Sequence, residues 1–124
     1  MRKYNPDHNL DAAEWLALDE DERLLLVREY HRRARVKLPN IEAHSTAHAI
    51  VENQLAEGLP EATRALNRLL ESGLNRHESI HAIASVLMDH IWNLTNKPLV
   101  EGDPHTPYLA GLEQLTAESW RRSG

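Results

Sequence analysis

Two stretches of the chain repeat the frame His-x-x-x-His-Ala-Ile. HSTAHAI covers residues 44–50 and HESIHAI covers residues 77–83. Histidines four residues apart on an α-helix lie one turn apart on nearly the same face, so both imidazoles can reach a single metal ion. The repeated frame therefore predicts a metal site, and its candidate ligands are His44, His48, His77 and His81.

Two carboxylates accompany these frames. Glu52 lies four residues after His48 and extends the same helical stripe, whereas Glu78 lies inside the second frame. Both stripes fall at the edge of a predicted apolar helix face, and helical bundles build metal sites from side chains on adjacent helices. We therefore expect the two frames to meet, with Glu52 as a further ligand and Glu78 as the candidate catalytic base for a metal-bound water.

The other histidines are weaker candidates. His90 lies nearly opposite His81 on the predicted helix, so it is not expected to share the ion. His31 lies near the end of a predicted helix, where a surface residue that suits the helix dipole is expected. His8 and His105 fall in predicted loops.

The predicted ligand set suits a divalent transition metal ion. Imidazole and carboxylate ligands favour zinc first and also allow iron, nickel or manganese. With one coordination position open, such a site supports a metal-dependent hydrolase, although the residues do not decide whether the protein is an enzyme. The main alternative is a non-enzymatic helical interaction module whose histidines are structural. A homodimer is one form of this alternative.

Composition limits the remaining possibilities. The chain has 124 residues, a formal net charge of −5 and no cysteine, which predicts one domain without disulfides. An acidic chain is a poor candidate for a nucleic-acid partner, and the basic stretch of residues 28–37 is interpreted as the end of a helix. Because neither a secretory signal nor an apolar run of membrane-spanning length is present, we expect no membrane partner and a cytoplasmic location.

Apolar periodicity predicts an all-α fold. Residues 1–124 are expected to form a single helical domain, a compact bundle of about five to six helices with no sheet. Residues 1–10 read as an N-terminal arm and residues 97–106 as a loop before the last helix, which is expected to run from Thr106 or Pro107 to Arg121. Pro39, Pro60 and Pro98 mark predicted helix boundaries.

Two short patterns resemble known metalloproteins. HESIH is similar to the zincin signature, and this resemblance implies zinc ligation by His77 and His81 with Glu78 as the base, so a zincin-like peptidase is a second alternative. The chain continues AIASVLMDH, which lacks the glycine and the histidine at the spacing that metzincins require. The helical pattern with paired histidines also resembles hemerythrin-like and ferritin-like di-metal bundles, and Glu78-Ser-Ile-His81 fits the Glu-x-x-His pair of the latter.

Longer stretches resemble a family of small bacterial all-helical proteins. They are YNPDHNLDAAEWLALDEDER near the start, AHSTAHAIVENQLAEG in the middle and GLNRHESIHAIASVL further on. In this resemblance the first histidine frame is followed by Val-Glu-Asn-Gln, here residues 51–54. It implies a shared fold and a shared histidine site that uses both frames, and it implies no particular reaction.

Overall fold

The computed structural model describes residues 3–34, 40–97 and 101–123 of the chain. Within these ranges the chain forms seven helices and no strand, which confirms the predicted all-α class and exceeds the predicted number of helices. The helices are α1 (Ala12–Ala17), α2 (Glu20–Arg33), α3 (Ile41–Ala56), α4 (Pro60–Glu71), α5 (Arg76–Asn96), α6 (Thr106–Gln114) and α7 (Ala117–Ser123).

The additional helix arises because the predicted last helix is divided in two. Leu115 has an extended backbone with φ −68° and ψ 128°, and it ends α6. The backbone N–H of Ser119 donates to the Thr116 hydroxyl and the backbone N–H of Thr116 donates to the Ser119 hydroxyl, each over 3.0 Å. This reciprocal pair caps the start of α7, and Leu115 and Ala117 on either side of Thr116 are both buried.

Side-chain caps fix where most helices begin. Asp11, Asp19, Asn40 and Asn75 each accept a hydrogen bond from a backbone N–H three residues later. Glycines with positive φ follow α3 and α4, namely Gly58 at 77° and Gly73 at 99°. Of the predicted boundary residues, Pro39 and Pro98 lie outside the described residues, as do Arg35 and Lys37 of the basic stretch.

Helix α3 is the element that the rest of the fold packs around. It contacts α1, α2, α4 and α5. The larger apolar core lies between α3, α4, α5 and α6 and includes Val51, Leu69, Ile80, Ile83 and Leu112. A smaller core holds Tyr4 of the N-terminal arm with Trp15, Val27 and Ala49. Because α3 contributes to both cores, its side chains can be placed against α2 and α5 at once.

The stretch that follows the first histidine frame ties α3 to three other parts of the chain. Asn53 accepts a hydrogen bond of 2.9 Å from the indole N–H of Trp15 and another of 3.1 Å from Arg23. Gln54 accepts a hydrogen bond of 2.6 Å from the hydroxyl of Tyr108 in α6. These polar contacts fix the rotation of α3, and so they determine where its histidines point.

The two predicted non-helical segments differ in their packing. Residues 3–10 form no helix, but Tyr4 and Pro6 are buried, so the arm is part of the folded structure. Residues 101–105 are exposed and non-helical, as expected for the loop before α6. Among the described residues, no helix has the length and apolar character needed to cross a membrane.

Candidate metal centre

Four histidines from three helices meet where α2, α3 and α5 come together. One ligand nitrogen from each residue lies within 4.8 Å of the corresponding atoms of the other three. The group consists of His31 from α2, His44 and His48 from α3, and His81 from α5. His31 and His48 are 0% exposed and the other two are partly buried. The fold thus places four imidazoles at one point, and it does bring the two repeated frames together.

The contact between His44 and His81 has dimensions close to those of a metal site. Their Nε2 atoms are 3.1 Å apart. Two imidazole nitrogens on one tetrahedral zinc ion, each about 2.0–2.1 Å from it, are separated by about 3.3 Å. Two nitrogens at this distance either share a proton or face a common ligand, and both frames of the repeat contribute one of them.

The orientation of His31 is fixed by a backbone hydrogen bond. Its Nδ1 lies 2.9 Å from the carbonyl oxygen of Val27, and the hydroxyl of Ser45 is 3.4 Å from the same nitrogen. A carbonyl oxygen only accepts, so Nδ1 carries the proton and Nε2 keeps its lone pair. Metal-binding histidines are commonly held in this way by their second nitrogen.

Several ring nitrogens in the cluster are buried without a partner. Among the described residues, neither nitrogen of His48 has a hydrogen-bond partner, nor has Nε2 of His31 or Nε2 of His77. A buried polar atom left without a partner costs about 1–3 kcal/mol. The cluster therefore contains several buried ring nitrogens whose lone pairs a bound ion would satisfy.

Burial keeps these imidazoles in the form that binds metal. Desolvation, with smaller contributions from neighbouring histidines, lowers the pKa of His44 to about 4 and that of His81 to about 3. The same causes place the pKa of His48 well below its ordinary value, and burial also lowers that of His31. At neutral pH all four rings are uncharged, as ligation requires.

His77 lies beside the group of four rather than within it. Its ring centroid is 4.5 Å from that of His81 and 5.8 Å from that of His48. The Tyr30 hydroxyl is 3.4 Å from its Nδ1, and its backbone N–H donates to Asp7 over 3.3 Å. The sequence predicted His77 as a ligand, whereas the structure places it at the edge of the cluster.

Glu52 is held in a different interaction from the one predicted. Both of its oxygens accept hydrogen bonds from the guanidinium of Arg76, over 2.8 and 2.7 Å, and the Tyr4 hydroxyl donates to it over 2.6 Å. Arg76 also donates to the carbonyl oxygen of Pro6. Glu52 is 1% exposed and lies outside the histidine group, so the structure assigns it to a buried ion pair instead of the ligand set.

Glu78 is exposed and serves the start of α5. Its backbone N–H donates to the Asn75 side chain over 2.7 Å, and its carboxylate accepts from the backbone N–H of Asn75 over 3.4 Å. This is a capping box, which satisfies two otherwise free N–H groups at the helix end. The structure thus gives the candidate catalytic base a local structural role.

Sequence reasoning missed His31 as a member of the cluster. A signal was present, because His31 lies four residues after the buried Val27 and so on the inward face of α2. Its position near the end of the helix suggested a surface residue instead. In the structure this end of α2 faces α3, and the His31 ring is completely buried there.

His90 lies apart from the cluster, as expected from its position on α5. Its Nε2 is 3.3 Å from Nδ1 of His105, and its ring stacks on Tyr108 at a centroid distance of 5.5 Å. Leu94, Pro104 and other residues of this region border a cavity of about 500 Å³ next to His90. His8 is exposed in the N-terminal arm.

Comparison with protein-family models, curated proteins and solved structures gives no match to this chain. The resemblances to zincins, to di-metal bundles and to small bacterial helical proteins therefore remain expectations from the sequence.

Proposed function

We propose that this protein binds one divalent transition metal ion through His31, His44, His48 and His81. The observation that carries the proposal is the convergence of four ligand nitrogens within 4.8 Å of one another. Two of these histidines are completely buried, and unpartnered ring nitrogens lie among them. Burying neutral imidazoles without partners is unfavourable, and a shared ion would turn that cost into ligation.

Zinc suits this ligand set best. Imidazole nitrogens without thiolates or carboxylates favour zinc, nickel and iron, whereas manganese prefers oxygen ligands. Zinc commonly takes four nitrogen ligands and can expand to a fifth ligand, so this number and type of ligand suit it. The ligand set thus narrows the predicted metals to zinc first, followed by nickel and iron.

The proposal concerns a metal site and does not extend to peptidase chemistry. A zincin-like reaction would require Glu78 to act on a metal-bound water, but its carboxylate is exposed and engaged in the capping box. The proposed set takes one ligand from α2, two from α3 and only one from α5, whereas the zincin motif requires two ligands from α5, His77 and His81. A hydrolytic role in general stays a prediction of the sequence.

A non-enzymatic interaction module is a second candidate because of exposed apolar side chains on α5. Trp92 is 57% exposed, and Ile91 and Met88 lie near it on the same helix. Leu112 and Leu115 near the end of the chain are buried in the core. Any partner contact is therefore expected on the C-terminal half of α5 and not on the last helices.

Metal content tests the main proposal directly. The protein is purified without a histidine tag, loaded with zinc, passed over a desalting column and analysed for bound metal. We expect one zinc ion per chain in the parent protein and strongly reduced zinc in His48→Ala and His81→Ala. The matched control is His8→Ala, which removes an exposed histidine outside the cluster and should retain the parent's zinc.

Circular dichroism accompanies these measurements so that loss of metal can be separated from loss of fold. Folded His48→Ala and His81→Ala variants that keep one zinc ion per chain would contradict the shared site. A parent protein that retains no transition metal would contradict metal binding altogether.

A further inference from the structure

In the proposed centre, none of the ligands carries a negative charge to balance a bound divalent ion. Its four ligands are neutral imidazoles. The nearest buried carboxylate along α3, that of Glu52, is already neutralised by Arg76. An uncompensated charge in a buried position is costly, and the cost falls when an ion of opposite charge enters with it. Given the proposed function, the loaded centre should therefore attract an anion.

One buried hydrogen-bond donor remains on His48 after it binds the ion. A neutral imidazole that ligates through one nitrogen carries its proton on the other. Both His48 nitrogens lack a partner among the described residues, so the second one stays unsatisfied after ligation. The four-histidine set alone does not complete the polar interactions of the site.

His77 supplies a second polar nitrogen next to the same place. The hydroxyl of Tyr30 lies 3.4 Å from Nδ1 of His77, and a tyrosine hydroxyl is protonated at neutral pH. When Tyr30 donates to Nδ1, the proton of the ring resides on Nε2. That Nε2 is buried and has no partner within the described part of the chain. It is thus available as a donor to an acceptor in the site.

We infer that the loaded centre binds a small monovalent anion as an additional ligand of the ion, on the side that faces His77. His77 would donate its Nε2 proton to this anion instead of binding the metal. The position of its ring, 4.5 Å from His81 and 5.8 Å from His48, places it next to two of the four ligands. His77 is only partly buried, so small solutes can approach the centre from this side.

A second metal ion between His48 and His77 is the competing explanation for the same free nitrogens. It would add two further positive charges next to the first ion, and the carboxylates of Asp7 and Glu78, which act on His77, would offset part of that charge. The proton on Nε2 of His77 favours an anion at this position, because a protonated ring nitrogen has no lone pair for a metal ion. The two explanations differ in the number of ions bound per chain, which can be measured.

Cobalt(II) with azide as the probe anion provides the test. Cobalt(II) replaces zinc and makes the coordination visible as absorption bands. In the parent protein with one cobalt ion bound, we expect azide to change these bands in a saturable manner. His77→Ala should still bind one cobalt ion but bind azide about tenfold more weakly, because a hydrogen bond to a charged group is lost. His77→Gln, whose amide can donate, should recover part of the azide affinity.

The matched control is His90→Ala, which removes a buried histidine of α5 outside the cluster and should keep the parent's cobalt and azide binding. Bound cobalt whose spectrum does not respond to azide would overturn the inference and leave the proposed metal site intact. Loss of cobalt in both folded His77 variants would make His77 a ligand, and two cobalt ions per chain would favour the second metal. A parent that binds no cobalt would remove the proposed function and the inference together.

Discussion

His31 is the residue whose contribution to the cluster can be isolated most cleanly. Its Nδ1 is occupied by the Val27 carbonyl, so only Nε2 can bind metal. We predict that His31→Gln, which keeps a polar side chain of similar size, lowers zinc affinity at least about tenfold, as expected for loss of a ligand or of its orientation. Competition with a chromophoric zinc chelator measures this affinity.

His90→Gln is the matched control for that substitution. His90 is also buried on a helix and also contacts another histidine, but it lies outside the group of four. It should leave zinc affinity unchanged. Equal zinc affinity in the His31→Gln variant and the parent would show that the ion is held without α2.

Single residues show where sequence reasoning about the site succeeds and where it stops. Four-residue spacing on one helix is a local property, so it predicts that His44 lies beside His48, whereas the contact of these residues with His81 depends on how α3 packs against α5. The partner of Glu52 is not local, because Arg76 lies 24 residues further along the chain. The burial of His31 likewise depends on how α2 packs against α3, which spacing within α2 does not encode.

At the scale of elements, the first turn of α5 gives Glu78 a structural role, and substitution of Glu78 tests this role against a catalytic one. Its carboxylate completes the capping box with Asn75. We predict that Glu78→Ala lowers the free energy of unfolding by about 0.5–2 kcal/mol, the range for loss of a helix cap, and leaves the zinc content at the parent's value. Urea denaturation and metal analysis measure the two quantities.

Glu78→Gln is the matched variant, because glutamine can also accept the capping hydrogen bond. It should retain most of the stability that alanine loses. Loss of zinc in either variant would return Glu78 to the metal site, and unchanged stability in Glu78→Ala would remove its capping role.

Helix beginnings were more predictable than helix number. Asp11, Asp19, Asn40 and Asn75 cap through their own side chains, so the local sequence contains the full signal. The break at Leu115 has no glycine or proline to mark it. It depends on a reciprocal bond between Thr116 and Ser119 and on the burial of apolar residues on both sides, which is a tertiary effect.

For the whole molecule, the histidine cluster should make folding sensitive to acid. In the folded metal-free protein the pKa of His44 is about 4 and that of His81 about 3, and burial lowers that of His48 further, whereas all three are near 6.5 when the chain is unfolded. Below pH 6.5 the unfolded chain therefore binds protons that the folded protein does not. Stability is greatest above this pH and is lost as the pH falls through the folded pKa values.

We predict that the urea midpoint of the metal-free protein, measured with a chelator present, falls steadily between pH 7 and pH 5. This interval lies above the ordinary titration range of carboxylates, so histidines dominate the change. His48→Leu removes the most strongly desolvated imidazole and should make the decline shallower, whereas His8→Ala should keep the parent's slope because His8 is exposed. A urea midpoint that does not change over this interval, or an equal slope in the parent and His48→Leu, would mean that the imidazoles are charged in the folded protein. Four charged rings so close together would repel one another and any cation, so that result would also count against a metal site built from this cluster.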